Sequence, residues 1–128
     1  MARGSSISRP WAQAQSITVT TATLPQSLLG LAASGVSVRL SSGSTGTLSG
    51  SFALQVTDFG VDESTANGPQ SSDWATVASS SQTWAGNTLT WSYSGPGNKW
   101  LRVLFTNSGS SGTPTVDINF TGQAWQRG

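Results

Sequence analysis

Hydrophobic and polar residues alternate with a period of two along most of this chain after residue 15, and no stretch follows the 3.6-residue period of a helix. Ile17 and Val19 alternate with Ser16, Thr18 and Thr20, which predicts a first strand. Leu24 to Ala33 is an apolar connection marked by Pro25 and Gly30; its pattern assigns no element, and a short helical turn is one option. From Val36 the alternation is regular: Val36, Val38 and Leu40 fall on one face, Ser37, Arg39 and Ser41 on the other. After a turn at Ser41–Gly46 comes the longest run, with Leu48, Gly50, Phe52, Leu54 and Val56 on one side and Thr47, Ser49, Ser51, Gln55 and Thr57 on the other. Gly50 marks a bulge or a close contact there.

Residues 58–73 read as a loop by their Gly, Asn and Pro content, Trp74–Ala78 as a short strand, and Ser79–Asn87 as irregular chain around Trp84. Leu89, Trp91 and Tyr93 alternate with Thr88, Thr90 and Ser92. Gly95-Pro96-Gly97-Asn98 then predicts a hairpin turn into Lys99–Thr106, where Leu101, Val103 and Phe105 oppose Trp100, Arg102 and Leu104. A strand apolar on both faces fits the centre of a sheet. Asn107–Gly112 turns the chain once more, into Val116, Ile118 and Phe120 with Thr115, Asp117, Asn119 and Thr121 outward, so the C-terminal part reads as a meander. Seven or eight strands punctuated by turns predict an all-β, single-domain antiparallel β-sandwich or jelly roll. The expected organisation is a flexible N-terminal arm over 1–14, the sandwich over 15–123, and a C-terminal tail over 124–128.

Composition sharpens this picture. A chain of 128 residues suits one core, burying roughly two thirds of its unfolded surface. Charged residues make up only 9%, so Ser and Thr supply the polarity, as polar outer faces of strands require. There is no His, no Cys and a single Lys, which removes the general base of serine or cysteine nucleophile systems and the usual zinc and redox ligands. The expectation is a protein that is not an enzyme and needs no cofactor. A net charge of +1 without a basic stripe argues against a nucleic-acid partner, and no run is long and apolar enough for a membrane helix. Met1–Ser6 lacks the apolar run of a signal peptide, and the missing Cys fits assembly in a reducing cytoplasm.

The loop at 58–73 holds four of the five acids: Asp58, Asp62, Glu63 and Asp73. Their spacing matches no EF-hand order, and a solvated loop accounts for them without metal or catalysis. Gly95–Lys99 lacks the glycine spacing and the following Ser or Thr of a phosphate loop. The Asn119-Phe120-Thr121 sequon lies inside a predicted strand.

The six Trp residues are the remaining candidates. Trp74, Trp91 and Trp100 fall in strands and are expected in the core, whereas Trp84, in irregular chain, is the candidate for stacking on a sugar ring. The termini place interface-enriched residue types outside the clear alternation: Arg3, Arg9 and Trp11 at one end, Trp125 and Arg127 at the other. Such segments either order against a neighbouring subunit or fold back onto the sandwich ends.

The segment Trp100-Leu101-Arg102-Val103-Leu104-Phe105-Thr106-Asn107-Ser108-Gly109, followed by a Gly-Thr turn and Val116-Asp117-Ile118-Asn119-Phe120, resembles the aromatic-(Ile/Leu)-Arg-Val-x-(Tyr/Phe)-Thr segment of small β-sandwich structural proteins of tailed bacteriophages. Phe52–Asp58 followed by Trp74 is similar to the segment that precedes it in such proteins, so the resemblance spans about residues 47–122. Gly122-Gln123 stands where these segments often end in Lys-Gly, which leaves the location in the virion open. A short chain that is nearly all one sandwich, without fibre repeats or heptads, looks most like a capsid decoration, or cement, protein. The resemblance implies a virion protein made in the host cytoplasm, seated on the outer capsid surface. It would bridge neighbouring copies of the major capsid protein and associate with sister copies on the lattice. The alternative is a carbohydrate- or receptor-binding module of a tail or fibre.

Overall fold

In the computed structural model, residues 6–17, 19–23, 26–28, 31–58, 73–94 and 100–124 are described, with backbone alone at 6–14 and 124. Every regular element among them is a strand: β1 Ser6–Ser16, β2 Thr21–Ala22, β3 Gln26–Ser27, β4 Leu31–Leu40, β5 Gly50–Thr57, β6 Ala75–Thr76, β7 Gln82–Thr83, β8 Leu89–Tyr93, β9 Trp100–Asn107 and β10 Thr115–Ala124. Two antiparallel sheets form. The first has the order β1-β10-β4-β8; the second has the order β2-β9-β5-β6, with β3 also on β9 and β7 also on β5. Taking β2 with β3, and β6 with β7, as two interrupted strands leaves eight strand positions, numbered along the chain as 1-8-3-6 in one sheet and 2-7-4-5 in the other. That order is a jelly roll, two interlocked Greek keys.

The expected C-terminal meander is corrected by this order. β8 and β10 lie in the first sheet and β9 in the second, so the chain crosses between sheets at both connections instead of making hairpins. Residues 95–99, where the hairpin turn was expected, are themselves outside the described residues. A period of two fixes which residues face inward; it carries no information about which strand lies alongside.

Cross-strand pairs build the core. In the second sheet Phe52 lies opposite Phe105, Leu54 opposite Val103 and Val56 opposite Leu101. In the first, Val36 lies between Phe120 and Trp91, and Val38 between Ile118 and Leu89. All of these are buried, and Ile17, Leu28 and Leu48 close the ends of the stack. The Phe52 and Phe105 rings are 4.9 Å apart and tilted by 45°. Gly50, at φ +156°, sits against Phe105, where a Cβ would collide with the ring and with the Thr106 carbonyl. The glycine in this strand is therefore a close approach.

The edges were the part the alternation misread. The expected first strand at Ile17–Val19 is instead a sheet crossing: β1 ends at Ser16, Ile17 is buried and Val19 is 64% exposed. Strand β1 itself occupies most of the segment expected to be an arm, pairing with β10 from Ser6 opposite Gln123 to Ser16 opposite Thr115. Its register slips between Pro10 and Ala12 and again between Ala12 and Gln15. Two bulges erase any period, and Pro10 is tolerated because the strand is an edge. On the opposite sheet the short edge segments are completed by hydroxyls. Thr23 Oγ1 accepts the Val103 N–H at 3.0 Å and Thr20 Oγ1 the Asn107 N–H at 3.1 Å.

At the other edge, between β6 and β7, Ser80 Oγ accepts the Leu54 N–H at 3.1 Å, and the Ser80 carbonyl accepts the Trp91 indole N–H at 2.5 Å. Ser80 is 4% exposed and thus ties β5 of one sheet to β8 of the other through satisfied buried polar groups. One end of the sandwich is a Ser/Thr/Gly zipper. Thr47 and Ser111 exchange backbone bonds at 2.9 Å, and Ser110 Oγ accepts the Ser49 N–H at 2.9 Å. Gly46, at φ +80°, lies so close to Gly112, at φ +74°, that neither position has room for a side chain.

Candidate functional site

The outward faces of the two sheets differ in chemistry. On the first sheet they carry Ser37, Arg39, Thr90, Ser92, Asp117, Asn119 and Thr121, the polar set expected of a solvated face. Here Arg39 Nε reaches Asp117 Oδ2 at 3.4 Å and Ser41 Oγ donates to Asp117 Oδ1 at 2.7 Å. On the second sheet β9 turns Trp100, Arg102 and Leu104 outward, each half-buried. Their cross-strand partners on β5 are Thr57, Gln55 and Ala53, all buried although they too point away from the core.

Arg102 is the centre of this second face. Its Nε donates to Gln55 Oε1 at 2.8 Å, and Gln55 Nε2 in turn donates to Thr76 Oγ1 at 3.2 Å. Its central carbon lies over the Trp74 ring, 4.4 Å from the centroid. Burial pushes the Arg102 pKa below its ordinary value. A cation–π contact of this kind holds the group without consuming its terminal donors. Chemically the arrangement can receive a planar anion through two parallel hydrogen bonds.

The tryptophan expectations divide. Trp91 is in the core, 8% exposed, as its alternation requires. Trp74 and Trp100 are corrected: both are half-buried, Trp100 on the outward side of β9 and Trp74 just before β6, against Arg102. They lie in or beside strands, but on the wrong face for the core. Trp84, the sugar-stacking candidate, is half-buried and packs edge-on against Phe52, with centroids 6.3 Å apart at 66°. Its ring thus closes the core beside β7.

Of the terminal candidates, Arg3, Trp125 and Arg127 lie outside the described residues. Arg9 and Trp11 are in β1: Arg9 is opposite Phe120, and Trp11 stands at the register slip between Pro10 and Ala12. Ser6 is opposite Gln123, so the described chain begins and ends at adjacent points of one sheet. In the acidic segment, Asp62 and Glu63 lie outside the described residues, Asp58 is exposed and Asp73 half-buried. Among the described residues no group of three acids forms a metal-binding cluster. Burial first, and the Asp58 carboxylate second, raise the pKa of Tyr93.

Sequence reasoning missed the Arg102 site. The signal available was an arginine between Trp100 and Leu104 on a strand already apolar on its other face; the stacking partner, Trp74, is too distant along the chain for any pattern to join them.

No family model matches the chain, and no curated protein matches it. Among solved structures it is similar to the SPBc2 prophage-derived protein YomS, at 13% identity and a TM-score of 0.56, covering 94% of this chain and 96% of that chain. At that identity the likeness establishes the fold, and it extends over nearly the full length of both proteins.

Proposed function

We propose that this chain is a non-enzymatic structural protein of a tailed-phage virion, a decoration protein that binds the outer head surface and bridges neighbouring major capsid subunits. The observation that supports it most is the nearly end-to-end likeness to a prophage-derived sandwich. The resemblance of residues 47–122 to phage structural sandwiches points the same way, as does a sequence without His or Cys. The sandwich then serves as a rigid spacer, and the terminal residues Arg3, Arg9, Trp11, Trp125 and Arg127 contact the shell or sister copies. Because such a protein binds only the assembled lattice, it stabilises the closed shell by RT ln(1 + [L]/Kd) without any reaction.

The test uses heads purified from a phage lacking the gene. Adding the purified chain should raise the temperature at which those heads release their DNA, in a saturable manner. Release at the same temperature across a wide range of added protein would refute the reading.

A further inference from the structure

The two outward faces of the sandwich are chemically unlike, and the difference selects one of them for docking. The first sheet presents hydroxyls and amides, and its Arg39 is already matched to Asp117 at 3.4 Å. The second presents Trp100, Arg102 and Leu104 in a row on β9 with Trp74 against the arginine. From Trp100 to Leu104 this row covers roughly 13 Å at ~3.3 Å per residue. Trp and Arg at the centre of an apolar surface are the residue types that dominate protein interfaces.

We propose that the outward row of β9 docks on a protein surface that presents an Asp or Glu carboxylate within an apolar patch, with Arg102 receiving that carboxylate and Trp74, Trp100 and Leu104 excluding water around the pair.

Three observations select this occupant. First, Arg102 is held before any partner arrives: Gln55 fixes Nε and the guanidinium carbon lies over the Trp74 ring, and among the described residues no hydrogen bond engages the two terminal nitrogens, which leaves them for bidentate pairing. Second, the cation is half-buried, burial lowers its pKa, and among the described residues no carboxylate forms an ion pair with it. The charge that complements it is therefore expected on the partner. Third, Trp100 and Leu104 flank the arginine on the same side of β9 and are half-buried like it, so the cation stands between apolar side chains, as it does at the centre of a protein interface. A second copy docked by this face about a two-fold axis through Arg102 would set like charges together, which disfavours self-pairing here.

This inference rests on the structural-protein reading, the partner surface being that of the phage head. The experiment measures binding of the full chain to purified heads that lack it. Arg102→Met and Leu104→Gln are compared with Ser92→Glu on the opposite sheet, and thermal melting of each free variant confirms folding. The expected result is wild-type binding, at least a tenfold weaker affinity for Arg102→Met and for Leu104→Gln, and no change for Ser92→Glu. If the wild type binds and both second-sheet variants bind equally well, the docking face is wrong and the structural-protein reading stands. Loss of binding by Ser92→Glu alone would move the interface to the first sheet. If the folded wild type does not bind heads at all, the structural-protein reading fails, and the proposed partner with it.

Discussion

Phe52 and Trp100 are both large aromatics in strands, and the difference between them decides what each contributes. Phe52 is 1% exposed and touches Phe105 and Trp84, so Phe52→Ala should cost about 3–5 kcal/mol by urea denaturation. Trp100 is on the outward side of β9 opposite Thr57, and Trp100→Ala should cost less than half as much. Equal losses would contradict the face assignment. Tyr93 is the one tyrosine in the chain, so the pH-dependent change in absorbance on forming tyrosinate reports it alone, the tryptophans not titrating. Its pKa is raised above 10.0, by burial first and Asp58 second, so the folded state holds the phenolic proton more tightly than the unfolded chain. That contribution to stability is complete below about pH 10 and is lost as pH rises through the folded-state value. Titration should give a midpoint above the ordinary one, moved downward by Asp58→Asn; a midpoint at or below it would contradict the burial of this phenol. At this scale the sequence was informative wherever a strand has one wet face, as at Val36, Val38, Phe52 and Leu54. It misled at Trp74 and Trp100, because an aromatic in a strand reads as core whichever face it occupies.

Elements were legible in proportion to their regularity. β4, β5, β8, β9 and β10 follow from alternation and β6 falls inside the expected short strand Trp74–Ala78, but β1 carries Pro10 and two bulges, and β2, β3 and β7 are two-residue segments whose neighbours are partly side-chain hydroxyls. Neither leaves a period to find. The practical consequence lies in the N-terminal segment. Deleting residues 2–12 removes most of β1 and strips β10 of its outer partner from Ile118 to Gln123. Ladder bonds contribute about 1 kcal/mol each, so the truncated protein should melt lower by ~5 °C or more. A truncation that melts like the full chain would mean that β1 adds nothing to the sandwich and serves only as an arm.

For the whole molecule, the sequence specified two sheets and a wet exterior, while the jelly-roll order depends on pairings between distant segments such as β4 with β10, which no local pattern encodes. The Arg102 stack is hidden for the same reason: its parts come from β5, β9 and the start of β6. What the assembled molecule offers is a sandwich with one polar face and one face on which Arg102 is held against Trp74, and the proposed role as a decoration protein builds on that difference. The most direct test is the copy number of this chain in purified virions, measured by quantitative mass spectrometry against the major capsid subunit of the same particles. A decoration protein should be present at parity with that subunit or at a simple fraction set by lattice symmetry. A handful of copies per particle, or none, would contradict the account.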